Sequence, residues 1–453
     1  MREKSILRLC RDFALHDGAF ALPSVLMLVT VLSLLSFAVL ELLFLEHQLA
    51  SKEISQVKAQ YAAESGIACE LSHLSAVTEL GFVEKDSTYL FADGSSSRVR
   101  VHPWGAVFLI ESQGVFKHCM STRRATIGCT PHEAFENALV LGNSSHQLVF
   151  TGDAFVNGDV AIGPAGVTTG SLYGHSTPII LPIKGKVKRL KPHECPQCSN
   201  EFLRGINHYY DYLMESLHRQ EQSRAVHENS RGSFQGDSVL LLPGGGVLND
   251  SVFSPTQRLF IASIGPVCIG PRAKLRGLIT VLSGDSIKTL PGADLQGTVL
   301  VSKKSIHIFG SHLASVECLA GRIWLDSGTV MKYPGILLSL PTDSVAAGSQ
   351  QITIKAGVLA EGFLAMLSPS GDDALILEAG SSLTGSVFTQ NRLTLDGTLR
   401  GSAVAEDLFF YEAPSTYLGW MRSGTVERAL LPRGFLTPPI FDGVRDFRIL
   451  EWL

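Results

Sequence analysis

Charge is what this sequence has least of. Only 18% of its 453 residues are Asp, Glu, Lys or Arg, against roughly a quarter in an ordinary soluble domain, while 45% are apolar. That balance excludes an intrinsically disordered chain. A basic excess is missing too: 38 Lys and Arg stand against 42 Asp and Glu, a net charge of −4, so nucleic acid is not an expected partner. Aromatics make up 8%, and 43 Gly and 20 Pro are spread along the whole length, which disfavours a helical bundle or long coiled coil. Catalytic signatures are absent as well: there is no G-x-S-x-G, no H-E-x-x-H and no nucleotide fingerprint. The run PGGGV (Pro243 to Val247) lacks the Lys-Ser/Thr of a phosphate loop and reads as a turn, and Asp285 and Asp372-Asp373 read as loop acids. The expectation is therefore a protein that is not an enzyme, with no catalytic residues and no cofactor. The length allows about two to four domains.

Long hydrophobic runs are also rare, and the exception stands near the N-terminus. From Ala19 to Leu40 there are 22 residues without a charge. As a helix they extend roughly 33 Å, enough to cross a hydrocarbon core. Arg2, Lys4, Arg8 and Arg11 precede the run, so the positive-inside rule keeps the N-terminus in the cytoplasm and sends the rest outward across the cytoplasmic membrane. A secretory signal peptide has a shorter apolar region, about 7 to 15 residues, followed by a small-x-small cleavage site. Here the run continues into Glu46 to Leu80, where Leu49, Ile54, Val57, Tyr61, Ile67, Leu71 and Leu74 recur close to helical spacing. Residues 19–80 thus read as one long helix, a membrane span joined to an amphipathic stretch. A plain signal anchor that is never cleaved is the simpler alternative.

A short basic leader ending in Gly18, a hydrophobic helix directly behind it and the run QYAAESGIACEL (Gln60 to Leu71) resemble the PilX-type pilin-like proteins of type IV pilus systems. The resemblance implies a leader over residues 1–18, removed by a prepilin peptidase between Gly18 and Ala19. Its implied partners are that peptidase, other pilins, the pilus assembly platform and the membrane. Gly at the cut lets an extended backbone enter the protease without a side chain. Two departures stand out. The first mature residue is Ala19 where Phe is usual, and the fifth is Pro23 where major pilins carry Glu. Proline is tolerable in a first helical turn, and lacking the Glu points to a minor or tip-like pilin. The segment FLIESQGVFKHCMSTRRATIG (Phe108 to Gly128) is also similar to the family's segment behind the helix, where a Ser-x-Gly turn joins two strands.

Over residues 84–130, short alternating runs such as Arg98-Val99-Arg100-Val101-His102, separated by turn residues, predict a small antiparallel β head with one wet face. From Ala138 onward apolar runs of 4 to 6 residues alternate with Gly, Pro, Asp or Ser, and the text echoes itself. PRAKLRG (Pro271 to Gly277) recurs as PGADLQG (Pro291 to Gly297), SLTG (Ser382 to Gly385) recurs as TLRG (Thr398 to Gly401), and Ile-Gly-Pro begins at Ile162, Ile264 and Ile269. Such periods predict a β-solenoid over residues 138–453 with Gly at its corners. The pattern resembles bactofilin-like polymerising β-helices; a β-sandwich is the competing architecture. The fold class is mainly β, with an N-terminal transmembrane helix.

A polar insertion interrupts the solenoid at residues 184–236. It opens with a basic run, Lys184 to Lys191, which reads as a solvated loop or a lipid-headgroup contact. An amphipathic helix follows, with Phe202, Ile206, Tyr209, Tyr210, Leu213 and Leu217 on one face. Between them stands Cys195-Pro-Gln-Cys198, flanked by His193 and His208. Two thiolates on a knuckle are half a tetrahedral zinc site; an oxidised or idle thiol pair is the plainer reading, and a redox motif lacks its βαβ context. Cys119 and Cys129 are expected to face each other across a hairpin as a possible disulfide. The function expected is a structural pilus, competence-pilus or secretion-filament subunit. The alternatives are a permanently anchored polymerising β-helix scaffold and an extracellular polysaccharide-active enzyme.

Overall fold

The structure, a computed structural model, describes residues 3–76, 84–142, 145–172, 174–190, 195–226, 233–234, 237–242, 244–255, 258–340, 350–367, 374–442 and 446–453. For residues 3–21, 76, 220–226, 233–234 and 237 only the backbone is described. The chain divides into two compact units. One comprises Met1–Gly66, Thr88–Arg98 and Gln113–Thr122, the other Ile67–Ser87, Val99–Ser112 and Arg123–Leu453.

The first unit is built on α1 (Glu3–Ala76), which runs without interruption through Pro23. By length and composition α1 is able to cross a membrane. Its large side chains from Leu22 to Leu45 are all exposed. Further along, the face that packs is not the expected one. Ser55, Ala59, Ala62 and Ala63 are buried, whereas Leu49, Ile54, Val57 and Tyr61 point outward. The reason is close approach: a Cβ on Gly114 would lie 2.1 Å from the Ala59 carbonyl oxygen and 2.4 Å from the Ala63 nitrogen. Small side chains on the helix and none on the strand let the two backbones meet.

Four strands follow the helix: β1 (Lys85–Leu90), β2 (Ser96–Trp104), β3 (Val107–Phe116) and β4 (Cys119–Cys129). They form a sheet in the order β1-β2-β3-β4, completed beyond β4 by the C-terminal strand Phe447–Trp452. Two expectations change here. Ser112 to Gly114 is no turn but lies inside β3, and the reversal comes at Lys117, whose φ is +52°. The C-terminal strand was expected in the solenoid; it pairs antiparallel with β4 instead, Phe447 opposite Cys129 and Trp452 opposite Ala125. Within the second unit the sheet meets the last turns of α1 through a Phe447 N–H to Ser75 Oγ bond of 3.1 Å. The buried Glu70 pairs there with Lys85 at 2.7 Å.

The rest of the second unit is a β-solenoid of about 11 turns, with three strand faces per coil. The sequence echoes are neighbouring coils in register: Leu275 stands over Leu295, and Leu383 over Leu399 with Gly385 over Gly401. Inward-pointing Val, Ile and Leu fill one continuous core from Leu139 to Val426. One corner carries a column of glycine. Gly335, Gly362, Gly385 and Gly401 stack directly. A Cβ on Gly385 would fall 1.8 Å from the Gly362 oxygen, and one on Gly401 1.7 Å from the Gly385 oxygen. At the opposite end of the first face, Ser283, Ser302 and Ser339 are buried and donate to the carbonyls of Gly265, Asp285 and Gly321 at 2.8 to 2.9 Å. The turning backbone is thereby satisfied inside a dry core.

Spatial order and chain order differ. On the first face, the stack runs from Asp237–Leu241 and Leu259–Ser263 up to residues 402–405. It then continues with earlier residues: Ala403, Val404 and Ala405 pair parallel with Leu139, Val140 and Leu141. Beyond them come Val160–Ile162 and Val187–Arg189. The other two faces repeat the closure, Trp420 pairing with Val149 and Thr425 with Phe155. The chain enters at the third coil from one end, winds outward to Arg189, returns to the other end and winds back onto its own first coil.

That return is the purpose of the insertion. Ile183–Lys184 and Val187–Arg189 are still solenoid strands, so the departure begins after them. Eleven rises of about 4.8 Å make roughly 50 Å, and α2 (Asn200–Val226), 27 residues long, covers about 40 Å of it. Phe202, Ile206, Tyr210, Leu213, Met214 and Leu217 are buried, as the helical spacing predicts, and Tyr209 is half-buried.

Candidate functional site

Gly18 and Ala19 lie on helical backbone of α1; their side chains are outside the described residues. Downstream of them, the large apolar side chains of α1 from Leu22 to Leu45 are exposed, and Leu49, Ile54, Val57 and Tyr61 continue as an exposed stripe among charged and polar neighbours. Exposed apolar area of this extent is stable only in lipid or against other apolar surfaces. Together with the tight helix-to-β3 contact at Gly114, this surface is the most prominent candidate for function.

The cysteines take other positions than expected. Cys119 and Cys129 are the two ends of β4, about 33 Å apart at the rise of an extended strand, far beyond the reach of a disulfide. Neither is in a disulfide. The hairpin expectation failed because Cys119 to Cys129 form one unbroken strand of 11 residues.

Cys195 and Cys198 lead into α2. Cys198 is buried and forms an isolated bridge with Phe441. Ser199 donates its N–H to Ile440 O at 2.8 Å and caps α2 by accepting the Phe202 N–H on its hydroxyl at 3.4 Å. Cys195 Sγ lies 3.2 Å from where a Cβ on Gly142 would stand. Burial, with Glu406 nearby, pushes the Cys195 thiol up to about 11. Burial, with Asp442, pushes Cys198 up to about 12. Both are protonated near neutral pH, the opposite of what a nucleophile or an unassisted metal ligand needs. Among the described residues no group of three or more His, Cys, Asp or Glu side chains is placed to hold a metal. His208 is exposed on α2, and His193 is outside the described residues. The described residues do not assemble the zinc site.

Sequence reading missed Glu317. It sits on the solenoid strand Glu317–Ala320, is buried, and accepts the backbone N–H of Ala106 on Oε2 at 2.6 Å. Burial pushes its carboxyl up to about 8, opposed by that hydrogen bond. No local motif announces it, because its partner is a main-chain amide in the β2–β3 turn. A groove of about 330 Å³ lies between Cys129–Glu133 and Thr437–Asp442. Its His132 accepts the Ala134 N–H at 3.1 Å as a helix cap, and burial lowers its pKa. Asp285 is tied to Lys304 at 2.5 Å; Asp372 and Asp373 are outside the described residues.

No protein-family model and no curated protein matches the sequence. A solved structure that it resembles is the competence-associated pilin ComZ from Thermus thermophilus, at 10% identity over 88% of this chain and 97% of that one, with a TM-score of 0.24.

Proposed function

We propose that this protein is a minor or tip-like pilin-related subunit of a type IV pilus, competence pilus or related secretion filament, structural in role and not catalytic. The observation that carries the reading is the state of α1: its apolar side chains from Leu22 to Leu45 are all exposed. Such a helix requires lipid before assembly and apolar neighbours after it. The outward stripe of Leu49, Ile54, Val57 and Tyr61 adds exposed apolar side chains beyond the charge-free run, which in this reading meet neighbouring subunits. In this reading residues 1–18 are the leader, the N-terminus faces the cytoplasm and the solenoid faces outward. Pro23 at the fifth mature position removes the acidic group by which a bulk subunit would pair with a neighbouring amine.

N-terminal sequencing after coexpression with a prepilin peptidase tests this. The expected mature chain begins at Ala19, and Gly18→Leu abolishes the cut. A terminus that stays at Met1 overturns the pilin reading.

A further inference from the structure

The end of the solenoid formed by the strands Ile183–Lys184 and Val187–Arg189 carries two features side by side. The first is a hydrophobic tip. The loop before Ile183 is pinned at both ends, by Gly152 N–H to Ser176 O at 2.8 Å and by Val156 N–H to Pro182 O at 2.9 Å. Between the pins stand Thr177, Pro178, Ile179, Ile180 and Leu181. Ile179 is 101% exposed and Ile180 81%, so two large aliphatic side chains project fully into solvent. Pro178 and Pro182 on either side stiffen the loop, which makes this projection built in rather than a chance of a loose segment.

The second is charge. All six residues from Lys184 to Arg189 are exposed, and four are cations: Lys184, Lys186, Lys188 and Arg189. Asp159 is the carboxylate bound into this cluster, meeting Lys188 Nζ at 2.9 Å and accepting the Lys186 N–H at 2.9 Å. The cluster therefore keeps a positive excess. Lysines on an edge strand serve to block edge-to-edge pairing, and that explains the cations alone. It leaves Ile179 and Ile180 without a reason, since exposed isoleucines beside an open edge invite the association that the lysines prevent.

One occupant satisfies both features. We infer that this end of the solenoid docks on an anionic lipid bilayer, with Ile179 and Ile180 entering the interface and Lys184, Lys186, Lys188 and Arg189 lying on the headgroups. Aliphatic residues gain by reaching the acyl boundary while neighbouring cations gain from the negative surface. The two contributions reinforce each other, so binding is sensitive to lipid charge and to salt. This inference does not depend on cleavage of the leader or on filament assembly.

The test uses the full chain, reconstituted in vesicles of phosphatidylcholine alone or with about a third phosphatidylglycerol, a composition that supplies the negative surface. A benzoylphenylalanine photocrosslinker replaces Ile180, and in a parallel protein Val247, which is 60% exposed on the coil at the far end of the stack. Mass spectrometry reads the products. The expected result is a lipid adduct at position 180 in the anionic vesicles, reduced on the order of tenfold in pure phosphatidylcholine, in high salt or in the triple variant Lys184→Glu, Lys186→Glu, Arg189→Glu. Position 247 gives none. Protein–protein crosslinks at 180 would mean that a second copy covers the tip, and absence of any lipid adduct in anionic vesicles would mean a free tip; either result overturns the inference. A variant Ile180→Ser with an unchanged melting temperature, followed by hydrogen exchange over residues 176–190, provides a readout free of the crosslinker: protection on anionic vesicles must fall relative to the parent chain.

Discussion

The Glu317 carboxylate accepts the backbone N–H of Ala106 at 2.6 Å in the interior of the second unit, and a Cβ on the adjacent Gly105 would fall 2.2 Å from the same oxygen. Gly105, with φ of +59°, thus serves both the turn and the approach. A carboxyl placed so deeply costs less when neutral, and its pKa rises to about 8 accordingly.

A pH dependence of stability follows. Between the ordinary carboxyl value near 4.5 and about 8, the folded protein retains a proton that the unfolded chain releases. Stability is therefore greatest below that window, declines as pH climbs through it and levels off above about 8. Glu317→Gln keeps an acceptor for Ala106 and removes the titration. Thermal unfolding in detergent between pH 5 and 9 should show the parent losing melting temperature with rising pH and the variant nearly flat, with the variant the more stable at pH 9. A flat profile for the parent would contradict this account.

Two glycines separate the effect of backbone conformation from that of crowding. Gly166 has φ of +79° and nothing within 4 Å of where a Cβ would stand, whereas Gly385 has φ of +153° and the Gly362 oxygen 1.8 Å away. Gly166→Ala should cost about 1 kcal/mol, the ordinary penalty for a left-handed residue. Gly385→Ala forces two coils apart in the middle of the stack and should cost about 3 kcal/mol or more. Comparison of the two variants' melting temperatures decides whether the corner column is conformational or steric in origin.

How much of this fold can be read from residues alone differs by element. PRAKLRG and PGADLQG announce adjacent coils because Leu275 and Leu295 occupy the same inward position, and one coil's chemistry then repeats in the next. Closure of the stack has no such trace: Leu139–Leu141 meets residues 403–405 through three main-chain positions, and any apolar triplet would fit. On α1 the periodicity of Leu49, Ile54, Val57 and Tyr61 correctly marks an apolar stripe but not its destination. The packing face is written in Ala59, Ala62 and Ala63, whose small size matters only once Gly114 is placed against them. Cys195-Pro-Gln-Cys198 has metal-ligand spacing, yet Phe441 and Ile440, which hold it, are distant in sequence.

The thiols give a direct chemical check. Cys195, Cys198 and Cys318 all have pKa values raised by burial, so each is a neutral thiol at pH 8 and a poor nucleophile. Iodoacetamide labelling of the native protein at pH 8 should therefore modify Cys119 and Cys268, which are half-buried, well before these three. Peptide mapping without reductant should recover no Cys119–Cys129 bridge. Fast labelling of Cys195 and Cys198 would instead indicate thiolates held by a nearby positive charge or metal.

The crossover helix makes the return of the chain an energetic requirement. Ile206 is fully buried and Leu217 likewise, so truncating either to Ala should cost about 2 to 4 kcal/mol, the loss expected for a large aliphatic side chain in a tight interior. His208→Ala on the exposed face of the same helix should be nearly neutral, within about 0.5 kcal/mol. Chemical denaturation of the three variants measures both, and a substantial loss in His208→Ala would show that this histidine has a partner beyond those the helix packs against.

Gly114 makes the sharpest steric demand in the first unit. A methyl group there cannot be accommodated by a rotamer change, because the atoms it meets, Ala59 O and Ala63 N, belong to helix backbone. Gly114→Val must therefore push α1 off β3, exposing Ala59, Ala62 and Ala63, with a cost of about 3 kcal/mol or more. Tyr61→Ser, on the outward stripe of the same helix turn, removes apolar area from the surface alone and should leave the melting temperature within about 0.5 kcal/mol-equivalent of the parent. The contrast separates the helix's two faces. If assembly uses the outer face, Tyr61→Ser impairs incorporation into filaments while the purified subunit melts normally, and Gly114→Val fails earlier, at folding. A Tyr61→Ser protein that both melts and assembles like the parent would deny the outer stripe any part in packing.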